Sequence, residues 1–235
     1  MQARSLLSRV SLPLVALLGA CSGETKTSNT SAADAVGTKD VAQSPTFAKE
    51  IAAHEALNAG RVQDALRLYD ELVALAPANV PVKVNRAVAL TMLERYPEAL
   101  TAIDECAALD PKDPEIHINR AQILHNLARH AEALEAIERA GALVGEAPSQ
   151  LMVKTSMLKG RILVGLGRGP EAVALLDKLD QLSPNQPLVA LERAHIYDRI
   201  GRRSDADQIW AALLQQFPSD ASLQQAFQQR DAGAK

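Results

Sequence analysis

Five histidines and two cysteines are the side chains best suited to hold a metal or attack a substrate. The histidines are His54, His117, His125, His130 and His195. A zinc site built on one helix places two histidines four residues apart, with an acid beside the first. No HExxH and no i, i+4 histidine pair occurs here. Gly160-Arg-Ile-Leu-Val-Gly165 has two glycines at the spacing of a phosphate-cradling loop. Leu166 and Gly167 follow, where lysine and a hydroxyl residue would meet phosphate and magnesium. No GxSxG elbow presents a serine nucleophile. The sequence therefore offers no catalytic residue, metal ligand or cofactor site, and it reads as a non-enzyme.

The composition points to packed helices. Hydrophobic residues make up 47% of 235 and aromatics only 3%. Alanine and leucine dominate, and small residues let helices approach closely. The formal charge is −3 with no long run of one sign, so nothing resembles a nucleic-acid surface.

The two cysteines have separate explanations. Residues 1–21 carry Arg4 and Arg9, then an apolar run from Val10 to Ala20. A membrane-spanning helix needs about 20 residues, so this run fits the core of a secretory leader. It ends Leu18-Gly19-Ala20-Cys21, which resembles the lipobox of bacterial lipoproteins, with Gly19 where alanine or serine is more usual. The resemblance implies cleavage after residue 20 and lipidation of Cys21. Losing Arg4 and Arg9 takes the charge to −3 − 2 = −5. Ser22 follows the cysteine, and in Gram-negative lipoproteins the absence of aspartate there implies the periplasmic face of the outer membrane. Residues 21–45 comprise the lipidated cysteine and a small, polar segment without periodicity, expected to be a disordered tether.

Alanines at 65, 99, 133, 172 and 206 lie 34, 34, 39 and 34 residues apart. Each stands in one phrase: Arg61 to Ala65, Arg95 to Ala99, Arg129 to Ala133, Arg168 to Ala172, Arg202 to Ala206, with an acid directly before the alanine. Twelve residues further on come Pro77, Pro111, Gly145, Pro184 and Pro218. This pattern resembles the tetratricopeptide repeat. The resemblance implies an all-α, right-handed solenoid of five helix-turn-helix repeats at 46–79, 80–113, 114–147, 153–186 and 187–220. Residues 221–235 then read as a capping helix, with Leu223 and Phe227 covering the last repeat, and a frayed tail. The extra residues Pro148 to Met152 predict a longer loop between repeats three and four.

The residue volumes agree with this reading. Small residues at position 8 (Ala53, Ala87, Ala121, Gly160, Ala194) allow tight pairing with the repeated alanines. Position 24 is large and apolar: Tyr69, Ile103, Ile137, Leu176 and Trp210. Position 27 contains Cys106, which behaves there as a small core hydrophobe. The recurring acid opens the second helix, where it favours the helix dipole. Position 7, often leucine in the family, is arginine or lysine in four repeats, which predicts unusually polar first helices.

The resemblance places a partner groove along the first helices. It is expected to include Asn85, Val88 and Met92 from repeat two, and Ile118, Asn119, Gln122 and Asn126 from repeat three. Repeats four and five add Met157, Arg161 and His195. Apolar groups mixed with amides suit an extended peptide or an amphipathic helix. Asn85 and Asn119 share position 6, where an amide can both donate to and accept from a peptide backbone. The lysines and asparagine of the family's carboxylate clamp are absent: repeat one offers Glu50 and His54, and repeat three Glu115 and Asn119.

These readings lead to a lipid-anchored scaffold that binds a protein or peptide and helps assemble an envelope complex such as a pilus secretin. It would resemble the repeat lipoproteins of type IV and Flp-type pili. The alternative is an adaptor that docks a periplasmic protease or cell-wall hydrolase onto its substrate. Leu223, Phe227 or the groove could also pair two copies.

Overall fold

The computed structural model describes residues 45–232 apart from 146, 148, 183 and 185. The expected leader, the lipidation site and the tether up to residue 44 lie outside the described residues, as does the end of the tail, whereas Pro45, expected to end the tether, opens the first helix. Among the described residues there are eleven helices and no strand. They are α1 (Pro45–Asn58), α2 (Val62–Leu75), α3 (Val80–Met92), α4 (Tyr96–Leu109), α5 (Pro114–Asn126) and α6 (His130–Val144). Then come α7 (Gln150–Gly165), α8 (Gly169–Leu182), α9 (Pro187–Arg199), α10 (Arg203–Gln216) and α11 (Ala221–Ala232). No helix among the described residues is long and apolar enough to cross a membrane. α1–α3 form one compact unit, ending at Leu93, and α4–α11 a second, starting at Glu94.

Local chemistry sets the boundaries of these helices. Asn79 accepts from the Val82 N–H, Asp113 from Glu115 and Ser149 from Met152. Each side chain satisfies an amide that the first turn leaves without a partner. The turns after α1, α5, α7 and α9 close in one way. After α1, the Gly60 N–H donates to Leu57 O at 2.9 Å and the Arg61 N–H to Ala56 O at 2.8 Å. This pair of hydrogen bonds is a Schellman motif, which requires a left-handed residue at its corner. The corner residues of these four turns are Gly60, Ala128, Gly167 and Gly201, with φ of 73°, 58°, 76° and 79°, and Glu94 has a similar φ of 59°.

The packing follows the volume pattern. In the first unit, Ala53, Ala65, Tyr69 and Leu72 are buried. In the second, Ile103, Cys106, Ile137, Leu176 and Trp210 are buried, as are the small Ala121, Ala133, Ala194 and Ala206. Gly160 lets α7 approach closely: a Cβ there would lie 3.1 Å from Ile196 Cδ1. At the carboxyl end, Leu223 and Ala226 of α11 join Trp210 and Leu213 in one apolar cluster, with Phe227 packed against it.

The five extra residues are not simply a loop. Most first helices have 13 residues, most second helices 14, and most links between pairs four. Here α6 has 15, the link 145–149 has five and α7 has 16, so the surplus divides as 1 + 1 + 3. Three of the added residues continue α7 backward from its expected start. Only one lengthens the link, because Ser149 caps the helix before Gln150.

Candidate partner-binding site

In the first unit, the groove residues Asn85, Val88 and Met92 are half-buried on α3. Asn85 belongs to a small polar chain. His54 Nδ1 lies 2.8 Å from Glu50 O. A carbonyl only accepts, so Nδ1 carries the proton and Nε2 accepts from Asn85 Nδ2 at 3.3 Å. Asn79 in turn donates to Glu50 Oε1. The His54 ring meets Tyr69 edge-on at 6.0 Å. Burial, with help from Glu50, raises the Tyr69 pKa to about 12.

In the second unit, α7 packs against both α5 and α9. Three first helices therefore lie side by side. Asn119 is half-buried on α5, and its amide has no hydrogen-bond partner among the described residues. Gln122 Nε2 donates to Asn126 Oδ1 at 2.9 Å, and Asn126 is exposed. Arg161 on α7 donates twice to Glu192 on α9, at 2.6 Å from both Nε and NH2. Burial works against the arginine's charge, but the hydrogen bond and charge of Glu192 outweigh it and hold the pKa above its ordinary value.

Ile118 and Met157 do not line this surface. Ile118 is 1% exposed and packs with Ala121, Leu124, Ile137 and Leu158. Met157 is 5% exposed among Val153, Leu176, Val189 and Ile196. Position 5 of α5 and of α7 turns toward neighbouring helices, where an apolar side chain leaves water almost completely.

The histidines split between structural and surface settings. His117 is buried, its Nε2 2.9 Å from Pro111 O, and ties α5 to the preceding link. His195 on α9 meets Trp210 edge-on at 5.2 Å, which repeats the His54–Tyr69 arrangement. His125 and His130 lie against each other, tilted, at 5.0 Å between centroids. Burial lowers the His125 pKa to about 4, with further pressure from His130, Arg199 and Arg161. The His195 pKa is also lowered, first by burial; Glu192 and Asp198 oppose the shift. Among the described residues, no three histidines, cysteines or acids gather at metal-binding distance.

Two charged residues of this face are absent from the sequence-derived groove. Glu192 and Arg199 occupy positions 6 and 13 of repeat five, and the repeat register alone points to both. Glu192 is needed to hold Arg161. Arg199 ends α9, exposed, with no ion pair or hydrogen bond among the described residues.

Models of the tetratricopeptide repeat match residues 56–123 and 114–140. No curated protein sequence matches the chain. Among solved structures, a thermophilic TPR protein of Thermus thermophilus superposes with a TM-score of 0.68 at 19% identity, over 79% of this chain and 98% of that one. MamA (residue 41 to the end) from Desulfovibrio magneticus gives 0.59 at 17% identity, over 75% and 97%. A tetratricopeptide repeat protein of Parabacteroides merdae gives 0.58 at 18% identity, over 76% and 69%. The fold is that of a tetratricopeptide-repeat protein. Such proteins are generally non-catalytic interaction scaffolds that bind protein partners in a groove.

Proposed function

We propose that this protein is an interaction scaffold held on the periplasmic face of the outer membrane by a lipid on Cys21. The face made by α5, α7 and α9 receives a protein partner during assembly of an envelope complex such as a pilus secretin. The observation that carries the interaction role is the run of Asn119, Gln122 and Asn126 along α5. Their amide groups reach solvent, and Asn119 has no partner of its own among the described residues. Side-chain amides at this density can pair with the backbone of an extended segment, which any partner sequence supplies. The lipobox-like Leu18-Gly19-Ala20-Cys21 supports the anchor. A multiply acylated cysteine holds stably where one chain holds marginally.

Two experiments test this reading. Cys21→Ser should move the protein from the outer-membrane fraction to another compartment or leave it unprocessed; unchanged outer-membrane fractionation would end the anchor proposal. A photo-crosslinker replacing Asn119 should capture a secretin or pilus component in cells. Capture of a protease or cell-wall hydrolase would replace assembly with the docking-adaptor role.

A further inference from the structure

The step from α6 to α7 encloses space that the step from α4 to α5 fills. At the earlier step His117, position 4 of its repeat, is buried, and its Nε2 donates to Pro111 O at 2.9 Å. Position 28 on the helix before it is Ala107. At the later step the same two positions are Ser156 and Gly141. A hydroxymethyl group stands in place of an imidazole, and a methyl group is missing. Between these two helices lies a cavity of about 300 Å³, open to solvent on one side. A Cβ on Gly141 would meet only Thr155 Cγ2, at 3.9 Å, and one on Gly145 would meet nothing within 4 Å.

The walls of this cavity select the ligand. Ile137, Val144 and Met152 supply apolar surface, and Gly141 supplies bare backbone on which a flat ring can lie. Thr155 donates its hydroxyl to Leu151 O at 2.7 Å, which leaves its methyl group for the cavity. Glu138 and Lys159 complete the lining as an ion pair at 2.9 Å, so the site has no net charge to offer a charged ligand. The hydroxyl of Ser156, half-buried, has no hydrogen-bond partner among the described residues. The volume is at the lower end of ligand pockets, which suits one ring system and not an extended chain, and apolar cavities take up small aromatic molecules. We infer that the cavity binds a neutral aromatic ring of about the size of indole, whose N–H donates to Ser156 Oγ. An imidazole alone would fill less of it, because Gly141 leaves more room than Ala107 does at the earlier step. The ring is a free small molecule or the tryptophan side chain of a partner. The site lies between α6 and α7 and does not depend on the scaffold role proposed above.

Amide NMR shifts of the full chain test this inference, with three probes titrated in turn: indole, benzofuran and a capped peptide carrying one tryptophan among glycines. Indole should shift the amides of Gly141, Val144 and Ser156 saturably. Benzofuran has the same shape with an ether oxygen in place of the N–H, and should bind about fivefold more weakly, the size expected for one neutral hydrogen bond. Ser156→Ala should remove that preference. Gly141→Leu should fill the cavity and abolish the shifts; leucine favours the helix more than glycine does, and a thermal midpoint no lower than wild type would show that the variant folds. Peptide binding as tight as that of indole assigns the ring to a partner's side chain. Exclusion of the peptide while indole binds assigns it to a free molecule. No saturable shift at these amides from any probe, or indole binding unchanged in Gly141→Leu, would overturn the inference and leave the scaffold role untouched. Equal binding of indole and benzofuran to the wild type would overturn the hydrogen bond to Ser156.

Discussion

Arg120 donates through Nε to Asp104 at 2.6 Å, from the first helix of one repeat to the second helix of the repeat before it. The same two positions pair again as Lys159–Glu138 and Arg193–Asp177, and in the first unit as Arg86–Asp70. The arginine or lysine is at position 7, the acid at position 25. The series stops where it has no neighbour: position 7 of repeat one is Ala52 and position 25 of repeat five is Ala211. Exchanging the charges at one step tests whether the pair couples neighbouring repeats. Asp104→Arg and Arg120→Asp should each cost about 0.5–1 kcal/mol in urea unfolding. The double exchange should recover most of that, as expected for partly exposed pairs. Purely additive losses would show that the pair contributes no coupling.

This ladder shows what could and could not be read from the sequence. The polar position 7 was visible as a departure from the family. Its partner was not, because the acid sits on another helix, sixteen residues back in three pairs and twenty-one in Lys159–Glu138, and only the stacking brings them together. The buried positions were legible, since Ala53, Tyr69, Ile137 and Trp210 repeat the volumes that pairing helices require. The surplus at 148–152 was legible as an insertion, and the link is longer as expected, but by one residue only, because α7 begins at Gln150 behind its Ser149 cap and takes up three of the others. Ile118 and Met157 were misplaced because position 5 faces either a groove or a neighbouring helix, and spacing along one helix cannot separate the two.

Ala128 occupies a left-handed corner at φ 58° that Gly60, Gly167 and Gly201 fill elsewhere. A Cβ in that conformation costs about 1–2 kcal/mol, partly offset by the greater freedom glycine has when unfolded. Ala128→Gly should therefore raise stability by roughly 0.5–1 kcal/mol. Gly167→Ala should lower it. Denaturant midpoints measured side by side check both signs.

Two helical glycines should respond oppositely to alanine. A Cβ on Gly165 would lie 2.8 Å from the His130 ring, so Gly165→Ala should destabilise by about 1–3 kcal/mol. On Gly141 it would meet only Thr155 Cγ2 at 3.9 Å, beside an open cavity lined by Ile137, Val144 and Met152. Gly141→Ala should stabilise by up to about 1 kcal/mol through helix propensity. Thermal unfolding of the two variants decides the matter.

His125 gives stability a pH dependence with a defined sign. Its pKa is lowered from 6.5 to about 4 in the folded protein. The unfolded chain therefore binds a proton that the folded chain refuses. The contribution is intact above pH 6.5 and is lost as the pH falls toward 4, by roughly 3 kcal/mol. His125→Phe keeps a ring against His130 and removes the titration. The fall in stability between pH 7 and 4.5 should be smaller for this variant than for the wild type. Parallel pH profiles would show that His125 does not titrate in this range.

The central claim is that partners meet the face of the first helices in the second unit. Photo-crosslinkers placed singly at Asn119 and at Arg139, an exposed residue of the second helix α6, compare the two faces in living cells. The account predicts one dominant crosslinked protein from Asn119 and little from Arg139. The same product at equal or greater yield from Arg139, with Asn119 silent, would contradict it.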